Sequence, residues 1–159
     1  MTAKRLIQTL QLQPHPEGGF YRETYRTEEK ITTVDGKVRN IGTAIYFLLE
    51  DEDKSHFHRI LSDELWFFHQ GEPMEIMMIQ DGKLHTSLLG NNIEQGEVPQ
   101  LIIPANIWFA ARVKDSKGYA LVSCTVSPGF DFADFELANK KDLISEFPEY
   151  KSVIDEFTF

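Results

Sequence analysis

Two histidines one residue apart, His56 and His58, followed by the carboxylate Glu64, are the side chains of this sequence best suited to chemistry. Residues i and i+2 of an extended segment point to the same side, so Ser55-His56-Phe57-His58 would present both imidazoles to one face. Glu64 follows a short polar break and opens the strand-like run Glu64-Leu65-Trp66-Phe67-Phe68, with a turn at Gly71. If the two strands are neighbours, both imidazoles and the carboxylate converge on one pocket. A trio of that kind with open positions suits one divalent ion, with iron, manganese, nickel and zinc all admissible. Without metal, a histidine beside a carboxylate is a tunable acid or base, and proton transfer is the matching chemistry. The expected cofactor is therefore none or a single divalent metal held by His56, His58 and Glu64.

The elements that must position these groups are short and β-rich. Residues 2–12 read as one amphipathic helix capped by Thr2, with Leu6, Ile7 and Leu10 on one stripe. Pro14 and Pro16 end it, and Glu17-Gly18-Gly19 forms a turn. Strand-like runs follow from Phe20 onward. Asp35-Gly36 and Asp81-Gly82 are hairpin dipeptides between such runs, and residues 43–49 are almost continuously apolar, as in a strand buried on both faces. Residues 108–113 and 119–126 are the last two strands, and residues 140–147 and 149–157 are helical, divided by Pro148. This pattern predicts a mainly β fold, a double-sheet jelly roll with a short N-terminal helix and C-terminal helices, as one domain over residues 1–159.

Charge and composition narrow the partners. The formal net charge of −9, with Lys and Arg scattered, opposes a nucleic-acid partner. No run of 18 apolar residues is present, so a membrane-spanning helix is not expected. The single Cys124 excludes an internal disulfide and fits a cytoplasmic location; in an apolar strand it reads as a buried, inert thiol. A small-molecule ligand is the expected partner.

Further candidates lie on the flanking strands. Tyr21 and Tyr25 could supply an acid, and Arg22 could grip a carboxylate or phosphate if it faced the pocket. Trp108 and Phe109 are candidates for lining the ligand cavity. His15 reads as a loop anchor, His69 as structural and His85 as solvent-facing.

His56-Phe57-His58, Glu64 and Gly71 resemble the first motif of the cupins, with five residues between His58 and Glu64 where four is the usual upper limit. Gly96 and Pro104-Ala105-Asn106 fit the frame of the second motif, but Phe109 stands where a fourth metal ligand, a histidine, would be. The blocks from His15 to Arg26, Ser55 to Phe67, Pro104 to Ala110 and Thr125 to Glu136 resemble an uncharacterised cupin subfamily. That resemblance implies a jelly-roll homodimer related in fold to dTDP-4-dehydrorhamnose 3,5-epimerase, and no particular activity. Two functions follow as expectations. One is an enzyme of isomerase, epimerase or metal-assisted type, with His56, His58, Glu64 and Tyr21 catalytic and Arg22, Tyr25, Trp108 and Phe109 binding substrate. The alternative is a protein that binds or senses a small ligand without chemistry.

Overall fold

The computed structural model describes the whole chain, Met1–Phe159. Its first helix is α1 (Ala3–Thr9), followed by strands β1 (Gln13–Pro14), β2 (Phe20–Arg26), β3 (Lys30–Thr32), β4 (Val38–Asn40) and β5 (Thr43–Glu50). Next come β6 (Lys54–Arg59), β7 (Asp63–Gly71), β8 (Met74–Gln80), β9 (Lys83–Leu89) and β10 (Gln100–Ile103). The chain closes with β11 (Trp108–Val113), β12 (Tyr119–Ser127), β13 (Glu136–Leu137), α2 (Lys140–Glu146) and α3 (Lys151–Glu156). A six-stranded sheet runs β1-β2-β5-β12-β7-β10 and a five-stranded sheet runs β13-β6-β11-β8-β9. Neighbouring strands in both are antiparallel.

The expected jelly roll is present as two sheets packed face to face, without closure into a barrel. Phe47, Trp66, Val122 and Cys124 of the larger sheet meet Ile76, Met78, Phe109 and Val113 of the smaller one in the central core. The outer faces are covered by the helices. Ala3 and Leu6 of α1 pack on Leu48 and Leu121, while Leu143, Ile154 and Phe157 cover Phe57, Trp108 and Ala110. Burial of β5 on both faces follows: Phe47 and Leu49 enter the core and Leu48 lies under α1.

Local chemistry explains most boundaries. Thr2 caps α1 by accepting from Arg5 N at 3.3 Å, and the helix ends three residues short of the expected Leu12 because Gln11 adopts a positive φ of 55°. Asp81 and Gly82, at φ 52° and 73°, make the two-residue turn that joins β8 to β9. β11 and β12 do not form a hairpin. They belong to opposite sheets, and the segment between them crosses the sandwich. No helix is long and apolar enough to cross a membrane.

Candidate functional site

A buried chamber opens between the sheets beneath residues 130–135. Its floor is the inner face of the larger sheet, where alternation turns Tyr21, Ile45, Phe47, Cys124, Glu64 and Trp66 inward. His58 enters from the smaller sheet, His15 and Glu17 from the loop before β2, and Phe130 and Phe135 form the roof. The free volume is about 40 Å³, enough for about three waters. A vestibule of about 340 Å³ adjoins it and shares Tyr21, Thr43, Ile45 and Phe130 with its wall.

The chemical centre is an ion pair. His58 Nε2 lies 2.9 Å from Glu17 Oε2, and its Nδ1 lies 2.7 Å from the His56 carbonyl oxygen. Both partners are acceptors, so both ring nitrogens donate and His58 is an imidazolium facing a carboxylate. Burial favours the neutral imidazole, but the charge and hydrogen bond of Glu17, with the Glu64 charge and the His56 carbonyl, together outweigh it and raise the His58 pKa. Burial likewise pushes Glu17 up, and attraction to and hydrogen bonding with the His58 imidazolium bring it below the usual carboxylate range. The Ser55 hydroxyl also favours the Glu17 carboxylate while lacking a well-formed hydrogen bond.

Glu64 behaves differently. Burial raises its pKa to about 7, with His58 pulling it down and Glu17 pushing it up, so this carboxyl exchanges its proton near neutrality. Burial and the neighbouring Glu64 charge hold the Cys124 thiol well above its ordinary pKa, so it stays protonated and inert as expected. The Trp66 indole N–H is buried beside Glu64 without a well-formed partner.

His15 is a member of the site as well as a loop anchor. Its Nδ1 accepts from Glu17 N at 3.1 Å, and burial lowers its pKa, so it is a neutral imidazole with its proton on Nε2. The loop reaches this position because Gly18, at φ 109°, lies against β6. A Cβ there would sit 1.9 Å from the Lys54 carbonyl oxygen.

Several expected residues are elsewhere. His56 does not line the chamber. β6 carries a bulge: Ser55 pairs with Ala111 and His58 with Phe109, leaving one extra residue on the β6 side. The i, i+2 parity is broken, and the His56 ring stacks on Phe159 with centroids 3.8 Å apart. There it donates from backbone N and Nδ1 to the Glu17 carbonyl at 2.8 and 2.7 Å, holding the loop in place. Arg22 alternates to the outer face opposite Tyr46, and Tyr25 is exposed because β2 has its own bulge between Glu23 and Tyr25. Trp108 packs outward under the C-terminal helices. Phe109 lies in the core against the His58 ring, 4.1 Å between centroids, without lining the chamber. His69 bonds Ser123 at 2.8 Å and His85 is exposed, both outside the site.

The expected metal ligands do not fit an ion. His56 is turned away, both nitrogens of His58 are engaged, and no three His, Cys, Asp or Glu side chains are grouped to hold a metal. Sequence reasoning missed Glu17 and His15 as site residues. Their signal was the dense block His15-Pro16-Glu17-Gly18-Gly19, a turn with more polar chemistry than a turn requires.

Comparison with known proteins agrees with this architecture. The chain is 38% identical to a hypothetical protein from Leishmania major, with a TM-score of 0.94 over 100% of this chain and 99% of that one. It is 40% identical to a crystallised protein of Shewanella oneidensis, with a TM-score of 0.91 over 100% of this chain and 98% of that one. An uncharacterized protein of Saccharomyces cerevisiae is 28% identical over 153 residues, 87% of this chain and 76% of that protein. Oxalate decarboxylase from Bacillus subtilis shares the fold alone, at 12% identity and a TM-score of 0.57 over 91% of this chain and 36% of its own. The family described as Cupin superfamily (DUF985) matches residues 4–138, and the chain belongs to that family.

Proposed function

We propose that the chamber binds a small carbonyl compound and moves a proton at the carbon beside the carbonyl, as isomerases and epimerases do. The observation that carries this reading is Glu64, a buried carboxyl with a pKa of about 7 on the wall of a small chamber that adjoins a vestibule of about 340 Å³. Glu64 as carboxylate takes the C–H proton, and the electron pair moves onto the carbonyl oxygen as an enolate. The His15 Nε2–H and the Tyr21 hydroxyl are the donors suited to that oxygen. Return of the proton to the neighbouring carbon isomerises the ligand. Return to the opposite face of the first carbon epimerises it.

The roles differ from those expected of the histidines. His58, bonded at both nitrogens, has no free lone pair and serves with Glu17 as a fixed charge pair beside the base. His56 is a positioning residue for Glu17. The test is wash-in of deuterium from D2O into a panel of small ketones and aldoses, followed by NMR. Exchange that falls by about 10²–10⁴ in Glu64→Gln supports the assignment; exchange unaffected by that change sinks it.

A second reading, ligand binding without chemistry, is favoured by the closed roof and the small free volume of the chamber. A ligand that raises the melting temperature yet shows no exchange selects it.

A further inference from the structure

We infer that the ligand of this cavity is uncharged, a neutral carbonyl or hydroxyl compound, and that phosphate esters and carboxylates are excluded. This deepens the reading of the chamber and vestibule as the ligand site and rests on it. The inference comes from where every nearby cation is spent. In the chamber the charge of His58 is neutralised by Glu17 at 2.9 Å, His15 is a neutral imidazole whose Nδ1 accepts from Glu17 N at 3.1 Å, and Glu64 is itself an acid. Neither lysine nor arginine lines it.

The vestibule holds one cation, Arg26, and three of its five N–H groups, one on each nitrogen, are bonded within the protein. Nε contacts Glu23 Oε1 at 2.7 Å, Nη1 donates to Asn40 Oδ1 at 2.9 Å, and Nη2 donates to the Phe130 carbonyl at 2.9 Å. The planar fork that would grip a phosphate is used to fasten the roof. Glu23 and Asp131 then leave the vestibule wall acidic. Lys37 and Arg39, the next cations, are paired with Asp134 on the far side of the roof segment. Arg22, which would have changed this balance, lies on the other face of the sheet and does not line either space.

What remains fits a neutral molecule. The Trp66 N–H, buried beside Glu64 without a well-formed hydrogen bond, is a donor in the chamber wall matched to a carbonyl or hydroxyl oxygen. Tyr21, Ile45, Phe47, Phe130 and Phe135 supply apolar and aromatic surface around it. A vestibule of about 340 Å³ gives room for the rest of a small polyol or hydroxyketone.

The test uses matched probes: dihydroxyacetone against dihydroxyacetone phosphate, and hydroxyacetone against pyruvate. Binding is followed by NMR shifts of Tyr21, Thr43 and Trp66 in the full chain. The expected result is at least tenfold tighter binding of each neutral member. Glu23→Gln, which removes the negative charge facing Arg26 Nε, should improve dihydroxyacetone phosphate binding at least threefold. Equal or tighter binding of either anion in the native chain overturns the inference. So does silence of both neutral probes, or an unimproved phosphate affinity in Glu23→Gln. Neutral probes that bind yet exchange no deuterium sink the catalytic reading and leave the inference standing.

Discussion

His58 and Glu17 meet at 2.9 Å although 40 residues of chain separate them, the imidazolium on a strand and the carboxylate on a loop that Gly18 lets lie against that strand. Both side chains are buried, at 3% and 7% exposure, so neither charge has water to replace its partner. Removing one strands the other. Glu17→Ala should destabilise the fold by about 3–5 kcal/mol, whereas Glu17→Leu combined with His58→Phe should cost less than the single changes sum to. Urea denaturation of Glu17→Ala, of the double variant and of its two single components reads this directly. The native pair is complete only while Glu17 is ionised and His58 protonated. Its contribution falls as pH drops through the depressed pKa of Glu17, and again as pH rises through the elevated pKa of His58.

Glu64 gives stability a slope of fixed sign. Its pKa rises from 4.5 in the unfolded chain to about 7 in the fold, so between those values the folded state binds more protons. Stability therefore declines as pH rises across that window, by about 3 kcal/mol in all, and levels off above it. Glu64→Gln should flatten this part of the profile and be relatively more stable at pH 8 than at pH 5. Melting curves across pH measure it; an unchanged slope refutes the assignment.

The roof over the chamber is fastened by Asp134, which Arg39 grips with Nε and Nη2, both at 2.7 Å, and Lys37 reaches at 3.3 Å. Asp134→Asn should loosen residues 130–135 by about 1–2 kcal/mol of local opening free energy, while leaving the sheets intact. Amide hydrogen exchange should quicken by about tenfold there, and not in β5 or β12.

His56→Ala should leave binding of divalent metals unchanged, because the ring lies outside the chamber, stacked on Phe159. It should weaken the His58–Glu17 pair instead, since two hydrogen bonds to the Glu17 carbonyl are reduced to one. Calorimetric titration with zinc and manganese, beside a His58 titration by NMR, separates the two effects. Loss of a stoichiometric metal in this variant contradicts the placement.

A homodimer remains the expectation for solution. Ile31, Val34, Val38 and Ile41 on the β3–β4 hairpin and its flank are exposed, as are Tyr25 and Phe132 nearby, and apolar surface of this kind marks contacts. Light scattering should give twice the chain mass, and Val34→Lys with Val38→Lys should shift it toward the monomer. A monomeric native chain at micromolar concentration refutes it.

The fold was legible because its signals are local. Asp81-Gly82 states its own turn, Thr2 its own cap, and the apolar run of β5 its burial on two faces. Glu64 was legible for the same reason, since plain alternation along β7 turns it inward with Trp66. His56 was misplaced because a bulge depends on the partner strand: nothing in Ser55-His56-Phe57-His58 announces that β11 will offer one residue fewer. The same holds for Tyr25, displaced by the bulge in β2. Glu17 and His15 were hidden by topology. Their chemistry arises from a loop docking on a strand far along the chain, and no spacing rule joins His15 to His58.

The rings on either side of His58 belong to different layers. Phe109, with its centroid 4.1 Å away, is fixed in the core, while Phe135, at 5.4 Å, hangs from the roof. Circulating π electrons in each ring shield or deshield nearby protons according to distance and tilt. The imidazole resonances thus sum a constant contribution from below and a variable one from above. The site carries its own magnetic gauge of roof position, readable at a single histidine without any added label.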